Sequence, residues 1–401
     1  MIELNELQTL TVGLLALVVA GVITQHVPFL ARLNVPTPVI GGLLVAVVVG
    51  AIYRNSGISI QFGSNLTDFF LLMFFTTVGL SAKLSALKAG GRPLLILCTV
   101  TVILLVIQNT IGLLVAFGTG AHPYYGLLIG SISFVGGPGT AAAWAKEAQA
   151  VGLERAPEVA VGAATLAVIV GAIVAGPITG WLVRRNKLQG PKEETTAMWI
   201  GPGEKRPTPQ QPISTIIKLL FLIMAAVVAG ATFNEVARGL GFMMPGFLTA
   251  MLAGVAITNL ADVFGAKINL APVERGGELA LQAFLAMYLM SLKLWMLGAA
   301  LQPLLVNVAL QVVVTTLVGV LLLFRWLGRD YDAAVTVGGF LGFGLSSMPV
   351  AMATMDSVAL RYGPSPKAFL LVTLAGSFFV DLANAFIVKG FLTLPWFHAV
   401  N

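Results

Sequence analysis

The stretch SISFVGGPGTAAAW, residues 131–144, lies between two long apolar segments and has the composition of neither. It holds two serines, a threonine, three glycines and a proline, which a lipid-facing helix has no use for. The chain around it is of one kind. Of its 401 residues 57% are hydrophobic and only 10% charged, and several apolar runs exceed the roughly 18 residues that make a transmembrane helix the default reading. The chain reads as an all-α polytopic membrane protein, so a segment that breaks helix regularity inside it needs a physical reason.

The net charge of +6 would suggest a polyanionic partner in a soluble domain. Here the basic residues fall in short loops between apolar spans, so they report orientation in the bilayer and no nucleic acid is expected. The N-terminus, MIELNELQ, has no Lys or Arg before the first apolar run and so lacks the basic start of a cleavable signal peptide. The single cysteine, Cys98, excludes an internal disulfide, and His26, His122 and His398 are too scattered for a metal cluster.

Apolar runs set against breakers give spans near 9–28, 36–53, 66–84, 95–117 and 159–183, with the odd stretch before the fifth. A polar, Pro- and Gly-rich linker, 184–212, follows. The second half runs 213–232, 245–260, 278–298, 302–326 and 367–391, with another Gly/Ser-rich stretch, VGGFLGFGLSSMPVAMATM, before its last span. The same order twice is an internal repeat, and local matches support it. Pro38 falls opposite Pro245, Lys83 opposite Lys293, and GGPG at 136–139 opposite GFG at 342–344, at offsets of 205 to 210.

An odd number of spans per half makes the second copy enter the membrane upside down, giving two inverted repeats, 1–183 and 213–401. Counting basic residues tests the orientation: with both termini outside and the linker in the cytoplasm, 17 Lys and Arg fall inside and 6 outside. Each Gly-rich stretch must then start and finish on the same side. Residues 125–146 and 333–355 are therefore expected to be re-entrant hairpins, one before the last helix of each half. Non-helical backbone at membrane depth is tolerated only where it is buried in protein or lines a wet cavity, so a cavity is expected with them.

Paired hairpins meeting near the midplane would surround one space with amides, carbonyls and short hydroxyls, the arrangement secondary transporters use. The candidate side-chain contacts are Ser131, Ser133 and Thr140 in the first hairpin, with Ser346 and Ser347 in the second. Gly136, Gly137, Gly139, Gly342 and Gly344 would let the backbone approach a ligand. In the last span Asp381 and Asn384 lie one helical turn apart on one face. A carboxylate at the centre of a span costs about 2.5 to 3.5 kcal/mol on insertion scales, which asks for a function or a partner. A cation held by the Asp381 and Asn384 oxygens and the backbone of Gly342 and Gly344 would answer it; either Na⁺ or a proton would serve. The amides Gln108, Asn109 and Gln311 read as ties between helices.

The motifs VPTPVIGGLLVA, FFTTVGLSAKLSALKAGGR, GSISFVGGPGTAAAW, LMSLKLWM, YDAAVTVGGFLGFGLSSMP, RYGPSPKAFL and FFVDLANAFIVK resemble the bacterial glutamate:sodium symporter family across essentially the whole chain. The resemblance implies an inner-membrane, elevator-type symporter of L-glutamate with Na⁺ as coupling ion and no cofactor. It also implies two inverted halves, a GGXG loop in each and a homodimer. The first loop keeps that pattern as GGPG, whereas the second pairs its glycines as GFG. A carrier of another dicarboxylate or amino acid, coupled to Na⁺ or H⁺, is the alternative. Rival classes fare worse. GLSS at 344–347 has no histidine in a span midsection to act as a base for an intramembrane protease, and no GxxxxGK[ST] motif supports ATP-driven transport. A channel remains the rival, since re-entrant loops also build selectivity filters.

Overall fold

The computed structural model describes residues 2–27, 36–85, 90–190, 213–239, 244–265, 270–293 and 301–397. It is mostly helical, and its chain divides into two compact units that cut across the two sequence halves. Six helices among the described residues are long and apolar enough to cross a membrane, which marks a multi-pass membrane protein.

The first unit comprises Met1–Ile23, Thr37–Ala86 and Lys205–Leu294. It contains α1 (Glu6–His26), α2 (Thr37–Ser56), α3 (Asn65–Leu80), α9 (Ile213–Gly239), α10 (Gly246–Val263) and α11 (Leu270–Leu289). It also corrects the all-helical expectation. Strands β1 (Ile2–Leu4) and β2 (Ile60–Phe62) pair in parallel, with Ile2 opposite Ile60 and Leu4 opposite Phe62. The strands lead into a cap: the Glu6 carboxylate accepts the Asn65 and Leu66 N–H groups at 3.0 and 3.1 Å, satisfying donors that the N-terminus of α3 leaves open.

Helices α3 and α10 cross closely because small residues meet backbone. A Cβ on Gly254 would lie 2.6 Å from the Thr76 carbonyl oxygen. Thr258 donates to the Leu80 carbonyl at 2.7 Å and Asn259 to that of Ala82 at 2.7 Å, which closes the C-terminal end of α3. Met73, Leu80, Ile223, Ala226, Val273 and Ala280 form the apolar core between these helices. In α1 only 22% of the membrane-length window is buried, against 50% in the longest helices of the second unit, so α1 keeps most of its apolar face outward, as lipid contact requires.

The second unit comprises Thr24–Pro36, Leu87–Glu204 and Trp295–Asn401. It contains α4 (Gly91–Gly118), α5 (Pro123–Leu128), α6 (Ser131–Phe134), α7 (Gly137–Ala150) and α8 (Ala156–Arg185) from the first half. The second half adds α12 (Leu301–Leu317), α13 (Tyr331–Leu345), α14 (Met348–Tyr362), α15 (Pro366–Leu374) and α16 (Val380–Leu392). Both Gly-rich stretches thus lie in this unit and are helical on either side of a break. The first is split three ways, α5 to α7, and the second two ways, α13 and α14. Two π turns interrupt the regular ladder: Val318–Leu323 follows α12, and Ala375–Phe379 joins α15 to α16.

Each of the ten spans expected from hydropathy overlaps a helix among the described residues, with shifted ends; residues 28 and 294–298 of those spans lie outside the described residues. The shifts are largest at α11, which begins at Leu270 because Glu274, Arg275 and Glu278 hide its start from a hydropathy reading. The expected linker begins inside α8, which runs on to Arg185, and residues 191–212 of it lie outside the described residues. So do Arg32, Lys88 and Lys267 from the charge count.

Candidate functional site

The site is built where the two breaks meet. After Gly136 the chain turns through Gly137, whose φ of +66° is a conformation that glycine adopts without strain, and Pro138 then starts α7 with the φ a first helical turn requires. The bare Cα of Gly137 also makes room for the other loop: a Cβ there would lie 3.2 Å from the Ser346 carbonyl oxygen and 3.6 Å from the Ser347 Cβ. In the second loop Gly342 lies directly against the Ala351 backbone, so α13 and α14 touch main chain to main chain.

Two helices begin at this junction, α7 at Gly137 and α14 at Met348. Neither Gly136 nor Ser347 supplies a side-chain cap to them. Their first N–H groups, with the partial positive charge of two helix N-termini, lie where the loops touch. That is an anion-binding arrangement.

Beside it lies a buried cluster rich in oxygen. The Ser131 N–H donates to Asn109 Oδ1 at 3.0 Å. The Ser131 hydroxyl lies 2.9 Å from that same oxygen and 2.6 Å from Asn384 Oδ1. One hydroxyl proton therefore serves two acceptors, which leaves an excess of lone pairs. Asn384 Nδ2 returns a bond to the Ser131 carbonyl at 3.3 Å.

From the position next to Asn109 on α4, Gln108 Nε2 donates to the Gly344 carbonyl at 2.8 Å and to Thr315 Oγ1 at 3.2 Å. Gln311 Nε2 donates to the Gln108 carbonyl at 2.9 Å, and Asn307 Nδ2 to that of Ile129 at 2.6 Å. Gln108, Asn109, Ser131, Asn307, Gln311, Thr315 and Asn384 are all fully buried. Among the described residues Gln108 Oε1, Gln311 Oε1 and Asn109 Nδ2 have no hydrogen-bond partner, an expensive condition in a dry interior that a bound ion or water relieves.

The residues singled out from the sequence distribute unevenly around this centre. Ser131, Gly137, Gly344, Ser346 and Asn384 are at it. The Ser346 and Ser347 hydroxyls lie 3.5 Å apart, with Ser346 buried and Ser347 half-buried. Thr140 is buried against Gly136 on the first turn of α7, where Gly139 also lies. Ser133 is turned away, its hydroxyl placed between the Leu128 and Ala160 carbonyls, 2.9 Å from the latter. Asn384 meets the first loop, whereas the sequence reading set it beside the second, and the Gly344 carbonyl is taken by Gln108. Asp381, half-buried one turn before Asn384, makes no hydrogen bond or ion pair among the described residues.

Gln108, Asn109 and Gln311 do tie helices together, and Asn109 and Gln108 also reach the first and second loops, at Ser131 and Gly344. The signal of Gln108 and Asn109 in the sequence is the interruption of LLVIQNTIGLLV, and nothing in that string names the loops as partners. Asn307 was missed altogether. Among the described residues no group of three or more His, Cys, Asp or Glu could hold a metal, so any ion here would rest on neutral oxygens and at most one carboxylate.

Comparison with known proteins places the chain in a family. Residues 2–364 match the family described as sodium/glutamate symporter. The sodium/glutamate symporter of Escherichia coli (strain K12) is 36% identical over 405 aligned residues, covering 99% of this chain and 100% of the relative. That of Haemophilus influenzae is 35% identical over 386 residues, covering 95% and 96%. A solved structure of a sodium proton antiporter from Methanocaldococcus jannaschii aligns over 98% of this chain and 99% of that one, at 12% identity and a TM-score of 0.43, too slight a likeness to build on. With a match over most of its length and relatives above 30% identity end to end, the chain belongs to the sodium/glutamate symporter family.

Proposed function

We propose that this protein carries L-glutamate into the bacterial cell together with Na⁺, across the inner membrane, as a secondary active transporter with no enzymatic step. The observation that carries the reading is the junction itself: two uncapped helix N-termini meet where Gly137 touches Ser346, beside a buried cluster with more oxygen lone pairs than protons to fill them. The first half of that description suits a carboxylate and the second a small hard cation.

In this reading the glutamate carboxylates take N–H groups of the first turns of α7 and α14 and the hydroxyls of Thr140, Ser346 and Ser347. Na⁺ takes oxygens from Ser131, Asn109 and Asn384, with Asp381 supplying the negative charge one turn away. Gln108 and Gln311, each with an unpartnered side-chain oxygen, complete the polar surroundings. Coupling then needs only that the fully loaded carrier exchange faces more readily than the half-loaded one.

The two halves act as inverted repeats with re-entrant hairpins, both termini outside and the linker in the cytoplasm. The exchange is of elevator type, with the unit that carries both loops moving as one body, in a homodimer. Support for the repeat comes from the contact of Gln108 with Thr315, positions that the repeat offset makes equivalent.

Purified protein in proteoliposomes tests the reading. An inward Na⁺ gradient should drive saturable glutamate accumulation and counterflow, and Na⁺ with glutamate should raise the melting temperature. Ohmic single-channel currents would sink it in favour of a channel. Accumulation driven by a pH gradient alone, or by another dicarboxylate in preference to glutamate, would move it to the alternative carrier.

A further inference from the structure

A second polar space lies in the same unit, along the C-terminal parts of α8 and α14 from Ala172 and Ala353 to Arg184 and Tyr362. It is a cavity of about 360 Å³ whose lining includes Gly180, Arg184, Thr354, Ser357, Arg361 and Tyr362. The space exists because α8 presents Ala172, Gly176, Pro177 and Gly180 to it before Arg184. Gly176 faces open space, with nothing within 4 Å of a Cβ built on it. Pro177 in the middle of the helix adds no donor.

The charges in the cavity are all of one sign. Arg184 and Arg361 line it, no Asp or Glu does, and neither guanidinium forms an ion pair among the described residues. Tyr362 organises both: its hydroxyl accepts from Arg184 Nη1 at 2.8 Å, and the Arg361 guanidinium lies 5.5 Å from its ring centroid. Each fork keeps further donors free. Two pre-placed guanidiniums in a cavity of ligand size suit a small molecule with two carboxylates.

The cavity is also on a line with the substrate junction. Thr354, Ser357 and Arg361 recur every three to four residues on one face of α14, the helix that begins at the junction. From Ser347 to Arg361 that helix spans about 21 Å.

We propose that Arg184, Arg361 and Tyr362 form a docking station for the dicarboxylate substrate on the membrane face where α8 and α14 end, a way-point between solvent and the loop junction. This rests on the transport reading above. The station lowers the concentration of glutamate needed to load the carrier from that face and is not used in loading from the other.

The test compares KM for glutamate from each face, in right-side-out and inside-out vesicles of neutral phosphatidylcholine, for wild type, Arg184→Ala, Arg361→Ala and the two Lys variants. Both arginines are exposed, so folding is little at risk; Gly176→Leu, which fills the cavity without touching either arginine, serves as an independent variant. Each Ala variant should raise KM about tenfold or more from the face that bears the cavity, with kcat and the opposite KM within about twofold. Lys should restore part of the loss, and Gly176→Leu should reproduce the asymmetry.

Equal shifts from both faces, or no shift from either, would overturn the proposal. So would variants that leave both KM values alone and change only the response to phosphatidylglycerol in the vesicles, or competition by inorganic phosphate, since the cavity would then serve a phosphate group. Wild-type vesicles without Na⁺-driven glutamate flux would fail the transport reading itself, whereas an active wild type with symmetric variants fails this proposal alone.

Discussion

The two loops are alike in composition and unlike in how they are held. The first is tied by side chains along its length: Ser131 to Asn109 and Asn384, Ser133 to two carbonyls, and Tyr124 N–H to the His122 ring. The second is tied at its base. There Asp330 caps α13 at Ala333, Asp332 accepts from Ser365, and the Tyr331 hydroxyl reaches the Gly363 carbonyl. Among the described residues its tip has one side-chain bond from outside, Gln108 to Gly344, while the Ser346 and Ser347 hydroxyls reach only each other. Local opening free energy follows such ties, so in the proposed site the tip of the second loop is expected to open more readily than the first loop and to be the part that responds to ligand.

This contrast can be broken at several points. The largest effect is expected from Gly342→Val. Its side chain would be driven into the Ala351 backbone, an overpacking worth about 1–3 kcal/mol or more, so the melting temperature should fall and flux should vanish. Next is the oxygen cluster. Asp381→Asn and Asn384→Ala should each raise the Na⁺ concentration for half-maximal uptake by about 10- to 100-fold, as loss of a supporting group does at other ion sites, and unchanged Na⁺ dependence would remove the residue from the coupling site.

A smaller effect should follow Gln108→Leu, which keeps the volume and deletes the one outside bond to the second tip. Amide exchange across 342–347 should speed up about tenfold, the worth of a hydrogen bond, with exchange in 131–136 changed far less. Equal acceleration in both loops would deny the contrast. Smallest is Ser133→Ala, which should cost about 1 kcal/mol of stability and leave Na⁺ dependence within about twofold, because that hydroxyl faces α8 and not the junction.

Much of this was legible in the residues, for stated reasons. Bilayer thickness imposes long apolar runs, so the helices could be read one by one, and glycine and proline mark breaks wherever they cluster. The partition into two units was not legible: α3 and α10 pack through Gly254 and Thr258 against residues 178 positions away, and neither residue is distinctive in a chain with 44 glycines. Strands of three residues carry too little alternation to be seen. Of the site, the loops and their serines were readable from composition. The direction of Ser133 and the partner of Asn384 were not, since a hydroxyl's orientation depends on which carbonyls packing brings near. The Arg184–Tyr362 pair joins positions 178 apart, and each residue alone looks like an ordinary helix end.

The π turn at Ala375–Phe379 holds one residue more than an α-helical ladder accommodates, immediately before Asp381. Because the wide turn takes up that residue, a deletion of one residue within 375–379 should close the ladder as a plain α-helix and leave Asn384 facing Ser131. Closure of the same ladder with no residue removed would instead turn everything beyond by about 100°. Asn384 would then leave Ser131 with no amino acid at the proposed ion site substituted, so a one-residue insertion between the turn and Asn384 should be as damaging as the loss of a ligand, and a deletion within the turn should be tolerated.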